Sequence, residues 1–115
     1  MATANFNQLS NTYLTTTTET AVYTVPSSTK AQINSIRIVN GGTATVFINA
    51  WSVSGAGAGT NATRLVTNFA IPPNDWRDLV DTKKIAHSVA ASTIRVQALT
   101  ANTINVIVGG VQLAA

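Results

Sequence analysis

Apolar residues alternate with polar ones in a series of short segments from residue 21 onward. In the segment 33–39, for example, Ile36 and Ile38 are separated by polar side chains. A period of two is typical of β-strands with one buried face, and turn-forming residues stand between the segments. No segment keeps a helical period. The pattern predicts about eight strands, at 21–25, 33–39, 45–51, 65–71, 76–80, 85–89, 94–98 and 104–108.

About eight short strands on one small core predict an all-β domain, an antiparallel β-sandwich of the jelly-roll type. Within the segment 45–51, apolar side chains occupy both faces, which predicts an inner strand covered on both sides. The Asn40-Gly41-Gly42 sequence before it predicts a tight hairpin to the preceding strand. Gly109-Gly110, inside an apolar alternation, predicts a bulge or a close backbone approach.

Residues 1–20 differ from the rest of the chain because they are polar and rich in Thr and Asn. A run of four threonines, 15–18, favours extended backbone, since β-branched residues disfavour helix. We therefore expect an extended N-terminal arm over 1–20, or an edge strand that needs a surface to lie against, with a disordered tail as the alternative. The β-sandwich domain is expected to occupy 21–115.

The segment 52–63 is a Gly/Ala/Ser/Thr stretch that interrupts the strand pattern. Its three glycines, Gly55, Gly57 and Gly59, are spaced unlike either a dinucleotide-binding fingerprint or a P-loop. We expect a flexible surface loop.

Composition favours assembly over chemistry. Charged residues are 10% of the 115-residue chain, and there is no cysteine. A surface of neutral polar groups is desolvated against a partner at lower cost than a charged one. The net charge is +3, but the basic residues are scattered and only Lys83 and Lys84 are adjacent. We expect no nucleic-acid partner, no membrane association, and a soluble protein made in the cytoplasm.

Few side chains in the sequence could act as a catalytic acid or base, since there are one histidine and four carboxylates. His87 lies in an apolar alternation, which favours a hydrogen-bonded structural histidine over a catalytic one. Asp75, Asp78 and Asp81 recur every three residues. They are expected to be solvated or salt-bridged turn residues, because no ligand loop for Ca²⁺ accompanies them. We expect no enzyme, no metal and no cofactor.

The two tryptophans are the candidates for binding. Trp51 is left open between core packing and a binding role, and Trp76 between core packing, a subunit interface and stacking on a carbohydrate or base. The candidate interface residues are the apolar side chains of the N-terminal segment and the Trp76-Arg77 pair: Phe6, Leu9, Tyr13, Leu14, Trp76 and Arg77.

Several segments resemble small β-sandwich structural proteins of tailed bacteriophages. The similarity covers residues 21–113 and is carried by the segments 22–26, 35–40, 45–48, 71–73, 94–98 and 105–111. It implies a capsid cement or decoration protein, or a head-tail or tail accessory protein, commonly assembled as a trimer or a higher ring. The longer polar N-terminal segment and the glycine loop depart from the compact members.

The sequence therefore predicts a structural virion protein on the capsid surface of a tailed phage, made in the host cytoplasm. Its expected partners are copies of itself, as a trimer, and the major capsid protein, which it stabilises because its N-terminal arm and loops bridge neighbouring shell subunits. A head-tail or tail accessory role is the first alternative. A carbohydrate-binding β-sandwich that uses Trp51 or Trp76 is the second.

Overall fold

The chain folds entirely into strands, turns and loops over the residues that the structure describes. This computed structural model describes residues 5–55, 57–80, 85–87 and 91–114. Its strands are β1 (Asn5–Leu14), β2 (Thr20–Thr24), β3 (Thr29–Asn40), β4 (Val46–Val53), β5 (Arg64–Ile71), β6 (Asp75–Asp78), β7 (Ile85–His87), β8 (Thr93–Ala98) and β9 (Ile104–Ala114). No helix occurs in these ranges, and so none that could span a membrane.

The strands form two antiparallel sheets packed face to face. The five-stranded sheet has the order β1-β9-β3-β6, with the short β7 also paired to β3, and the four-stranded sheet has the order β2-β8-β4-β5. The predicted all-β fold, an antiparallel β-sandwich, is confirmed, while its jelly-roll connectivity stays a prediction. All eight strands expected from the alternation are present, but β3 begins four residues before its expected start and β9 continues six residues beyond its expected end. The expected end of the strand 85–89 lies outside the described residues. β4 is an inner strand, as predicted, and the structure places it between β8 and β5.

The core lies between the sheets and is built mainly from isoleucine and valine. Both sheets supply side chains that are fully buried, among them Ile33, Ile36, Ile38, Ile48, Ile94 and Val96. β-branched side chains pack well on a pleated surface, and each buried one stabilises the fold by about 1.5–3 kcal/mol relative to exposure.

The N-terminal segment is part of the sandwich. Residues 5–14 form β1, which pairs with β9 along its whole length and is an edge strand of the five-stranded sheet. Leu14 is only 2% exposed and belongs to the core. Of the three possibilities for this segment, an extended arm, an edge strand and a disordered tail, the structure contains the edge strand over residues 5–14, and β1 lies against β9 of its own chain.

The hairpin expected at Asn40-Gly41-Gly42 is wrong. β3 and β4 lie in different sheets, so the chain crosses between the sheets here instead of turning back. Neither glycine has a positive φ, which a tight two-residue hairpin requires. The buried Asn40 amide instead donates to the carbonyls of Ala44 and Ile71, each at 2.9 Å, and so fixes the crossing.

The Gly109-Gly110 pair lies where three strands are in close contact. Gly110 is buried, and a Cβ there would lie 3.0 Å from the carbonyl carbon of Gln32 and closer still to its oxygen. β3 shifts register against β9 between Ile33 and Ser35. Of the two predicted alternatives, the close backbone approach is confirmed at the glycine pair, and the irregularity in pairing lies opposite it on β3.

Candidate binding surface

The outer face of the five-stranded sheet carries two exposed aromatic side chains at opposite edges. The strand registers align Tyr13 of β1, Asn105 of β9, Val39 of β3 and Trp76 of β6 across the sheet. We call these four residues the aromatic row. Directly opposed residues point to the same face, so the row spans about 14 Å, three strand spacings. Tyr13 is 53% exposed and Trp76 is 48% exposed, with Val39 and Asn105 half-buried between them.

Arg37 partly covers Trp76. Its guanidinium carbon lies 4.3 Å from the centre of the indole ring, a cation–π geometry. This contact holds the ring on the sheet while leaving about half of it open to solvent. The row therefore presents a positioned aromatic anchor beside one positive charge, an arrangement common at protein interfaces.

The candidate interface residues from the sequence divide into two groups. Tyr13 and Trp76 lie on the aromatic row, and the Tyr13 hydroxyl donates to the Asn102 carbonyl. Leu14 belongs to the core and Leu9 packs against it, so both side chains lie on the inner face of the sheet. Neither is exposed on the aromatic row. The Phe6 side chain lies outside the described residues.

Arg77 is next to Trp76 but does not join the row. It forms a half-exposed ion pair with Asp75 at 2.7 Å. A hydrogen bond from Arg77 and one from the Trp76 N–H hold the pKa of Asp75 below its usual range. Both residues of this pair belong to β6.

Trp51 is covered by other parts of its own chain. It is 4% exposed although it lies on the outer face of the four-stranded sheet, where it pairs with Arg95. Gly59 sits so close to the ring that a Cβ there would overlap the indole. Arg64 lies over the ring at 5.1 Å from its centre. Gly59 and Arg64 thus cover Trp51, while other residues of the same loop, 57, 58 and 60–62, are exposed.

Glu19 holds that cover in place. Its carboxylate accepts a hydrogen bond from the Gly59 N–H at 2.8 Å and forms an ion pair with Arg95. Burial by itself raises the pKa of Glu19, but the hydrogen bonds from Gly59 and Arg95, with the charges of Arg95 and Arg64, bring the pKa below its ordinary value. The ionised carboxylate of Glu19 is therefore the state that binds Gly59 and Arg95 and holds the loop.

The single histidine bridges the two sheets. His87 of β7 is 7% exposed, and its Nε2 lies 2.9 Å from the Ser52 Oγ of β4. Burial lowers the pKa of His87. A serine paired with a histidine acts as a nucleophile only when a third group, commonly a carboxylate, orients the histidine. The three carboxylates in the described part of the chain, Glu19, Asp75 and Asp78, form their hydrogen bonds with other residues. The buried, hydrogen-bonded position predicted for His87 is confirmed.

The acidic residues are structural where they are described. Asp78 accepts hydrogen bonds from the Ser35 hydroxyl and from the backbone of Ile36 and Val80, which fastens the end of β6 to β3. Asp75 is salt-bridged as expected, although it lies at the start of a strand and not in a turn. Asp81 lies outside the described residues. Over the described ranges, no group of three potential ligands could hold a metal ion.

The contacts that Arg37 and Glu19 make were not predicted from the sequence. Each acts on a residue far away in the chain, Arg37 on Trp76 and Glu19 on Gly59 and Arg95. Strand alternation shows which face a residue occupies, but the neighbouring strand on that face depends on topology. No local pattern could have identified either contact.

The chain matches no protein-family model, and comparison with curated proteins and with solved structures found no significant match.

Proposed function

We propose that this protein is a structural assembly component that binds other protein subunits through the outer face of its five-stranded sheet. The observation that carries the proposal is the aromatic row, with Trp76 and Tyr13 about half exposed on the same face. Exposed aromatic residues beside apolar and neutral polar ones are typical of protein interfaces. The net charge of +3 would steer the chain toward an acidic partner surface.

We further propose that the sandwich has the jelly-roll connectivity common in viral capsid proteins. When the three-residue β7 is set aside, the strands form four nested antiparallel pairs: β1 with β9, β2 with β8, β3 with β6, and β4 with β5. The pairs alternate between the two sheets. Such nesting is what a long hairpin yields when it is wrapped around one core.

The specific role we propose is that of a capsid cement protein of a tailed phage. The protein would assemble as a homo-oligomer, bind the major capsid protein on the capsid surface and bridge neighbouring shell subunits. Support comes from the sequence resemblance, the low charge and the nested strand pairs. A head-tail or tail accessory protein fits the same features, and the number of copies per particle separates the two roles.

Co-sedimentation with purified shells of the encoding phage tests the proposal. The wild-type chain should bind saturably, and Trp76→Ala should weaken binding about tenfold or more, as expected for an interface hot spot. Phe47→Ala is the matched control, because Phe47 is 46% exposed but belongs to the four-stranded sheet. Absence of binding, or equal losses in the two variants, would contradict the proposal.

A carbohydrate-binding sandwich is the second candidate, favoured by the exposure of Trp76 alone. Trp51 lies beneath its loop, and Arg37 already stacks on Trp76. A sugar would have to use the remaining exposed part of the Trp76 ring. Quenching of tryptophan fluorescence by host glycans, lost in Trp76→Phe, would favour this candidate over the first.

A further inference from the structure

The edge strands of the two sheets differ in how well they are protected against pairing with another chain. An edge strand exposes unpaired backbone N–H and C=O groups, and proteins protect such edges with charges, bulges or short strands. β6 has four residues, of which three are charged. β5 begins with Arg64, and its register with β4 is interrupted twice. β2 has five residues and one register shift.

β1 is the exception among these edges. It is ten residues long, with neither a charged residue nor a proline. One register shift, between Gln8 and Ser10, interrupts its pairing with β9. Toward its end it approaches β2, where the Thr12 hydroxyl lies 3.5 Å from the Val22 carbonyl. The free edge is therefore the stretch 5–11.

The neighbouring strand extends this neutral region. β9, like β1, contains no charged residue, whereas the other half of the same sheet carries Lys30, Arg37 and the charges of β6. Two copies with a net charge of +3 repel each other, so they associate best where neither brings a charge near the contact. The edge formed by β1 and β9 meets this condition over its whole described length.

We propose that two copies of this chain pair through β1, antiparallel and about a two-fold axis, so that two five-stranded sheets become one continuous sheet. A two-fold contact uses the same surface on both copies, and the sequence of β1 brings no charged residue to that contact. The pairing also places the Tyr13 ends of the two aromatic rows on one continuous face. This pairing rests on the proposed function and names how copies meet, with a dimer in place of the trimer that the sequence resemblance implies. It can be tested without a shell.

The mass of the protein in solution tests the pairing. By light scattering, the wild type should have about twice the 12.0 kDa mass of the chain. Gln8→Lys/Asn11→Lys should be monomeric, because two lysines per copy then face each other across the axis. Thr43→Lys/Thr100→Lys adds the same charge at exposed sites off the edge and should remain a dimer. Circular dichroism and thermal melting establish that all three fold alike.

Cysteine cross-linking tests the geometry in an otherwise native chain, since the sequence has no cysteine. In a two-fold antiparallel pair, the position nearest the axis faces its own copy within disulfide reach. Among Gln8→Cys, Ser10→Cys and Asn11→Cys, at least one should give a reducible dimer under mild oxidation well before Thr43→Cys does.

Three results would overturn the pairing: a monomeric wild type, equal masses in the two lysine variants, or cross-linking no faster than at Thr43→Cys. A trimer would also overturn it, because a two-fold contact closes at two copies. A monomer that still binds shells would contradict the pairing but not the proposed function. A β1 dimer that binds no shell would support the pairing and contradict the proposed function.

Discussion

Gly59 is the residue whose substitution most sharply tests the account of the covered Trp51. It has no positive φ, so an alanine there meets no backbone strain, only a lack of space. A Cβ would lie 2.6 Å from the indole Cδ2 and closer to other ring atoms, whereas carbon atoms in contact are about 3.5–4.0 Å apart. The loop or the ring must therefore move by about 1 Å.

The cost of that movement can be estimated from two contacts. Overpacking of this kind costs about 1–3 kcal/mol. If the loop moves away from the ring, the 2.8 Å hydrogen bond from the Gly59 N–H to the Glu19 carboxylate is weakened as well. A hydrogen bond to a charged group contributes about 1.5–3 kcal/mol to stability. Because Glu19 is partly exposed, we take the lower end of both ranges and expect about 2.5 kcal/mol of destabilisation.

Urea denaturation with fluorescence detection measures this change. In a Trp76→Phe background Trp51 is the sole tryptophan, and Gly59→Ala should shift its native emission to longer wavelength as water reaches the ring. Gly41→Ala is the matched control, since its Cβ would meet nothing nearer than the Thr103 carbonyl oxygen at 4.0 Å. Equal stability in the two variants, with unchanged Trp51 emission, would refute the packing argument.

Three further predictions concern the core and the sheets. Gly110→Ala should destabilise the fold by about 3 kcal/mol or more, because its Cβ would collide with the backbone of Gln32 in an inner strand; a normal melting temperature would contradict this. Leu14→Ala should cost about 2–5 kcal/mol in urea denaturation, whereas an exposed arm residue would cost almost nothing. Burial lowers the pKa of His87 in the folded chain, so stability should be fully present above the unfolded pKa of about 6.5 and fall as the pH drops below it, levelling off below the folded pKa. Denaturation curves from pH 8 to 4 should show this loss in the wild type and a smaller one in His87→Gln; identical curves would refute it.

The strands themselves were predictable because alternation is a local property. β3, β8 and β9 bury every second side chain, and that period is written directly in the sequence. The Gly109-Gly110 approach was predictable for a similar reason, since paired glycines inside an apolar strand have few other uses.

The assignment of strands to sheets was not predictable from the same signals. The Asn40-Gly41-Gly42 segment has the composition of a hairpin turn, and only the bonds from Asn40 to Ala44 and Ile71 explain the crossing. β1 was harder still, because β9 holds it by backbone pairing that its polar side chains do not reveal. Leu14 was the one strong indication that this segment reaches the core.

The proposed role on the shell of a tailed phage can be tested by counting copies of this chain in purified particles of a phage that encodes it. Quantitative mass spectrometry against the major capsid protein gives the ratio of the two chains. If the proposal is right, we expect a ratio of the same order as the number of shell subunits. Absence of the chain from the particle would contradict the proposal, and a ratio that corresponds to a single ring would favour the head-tail junction or the tail.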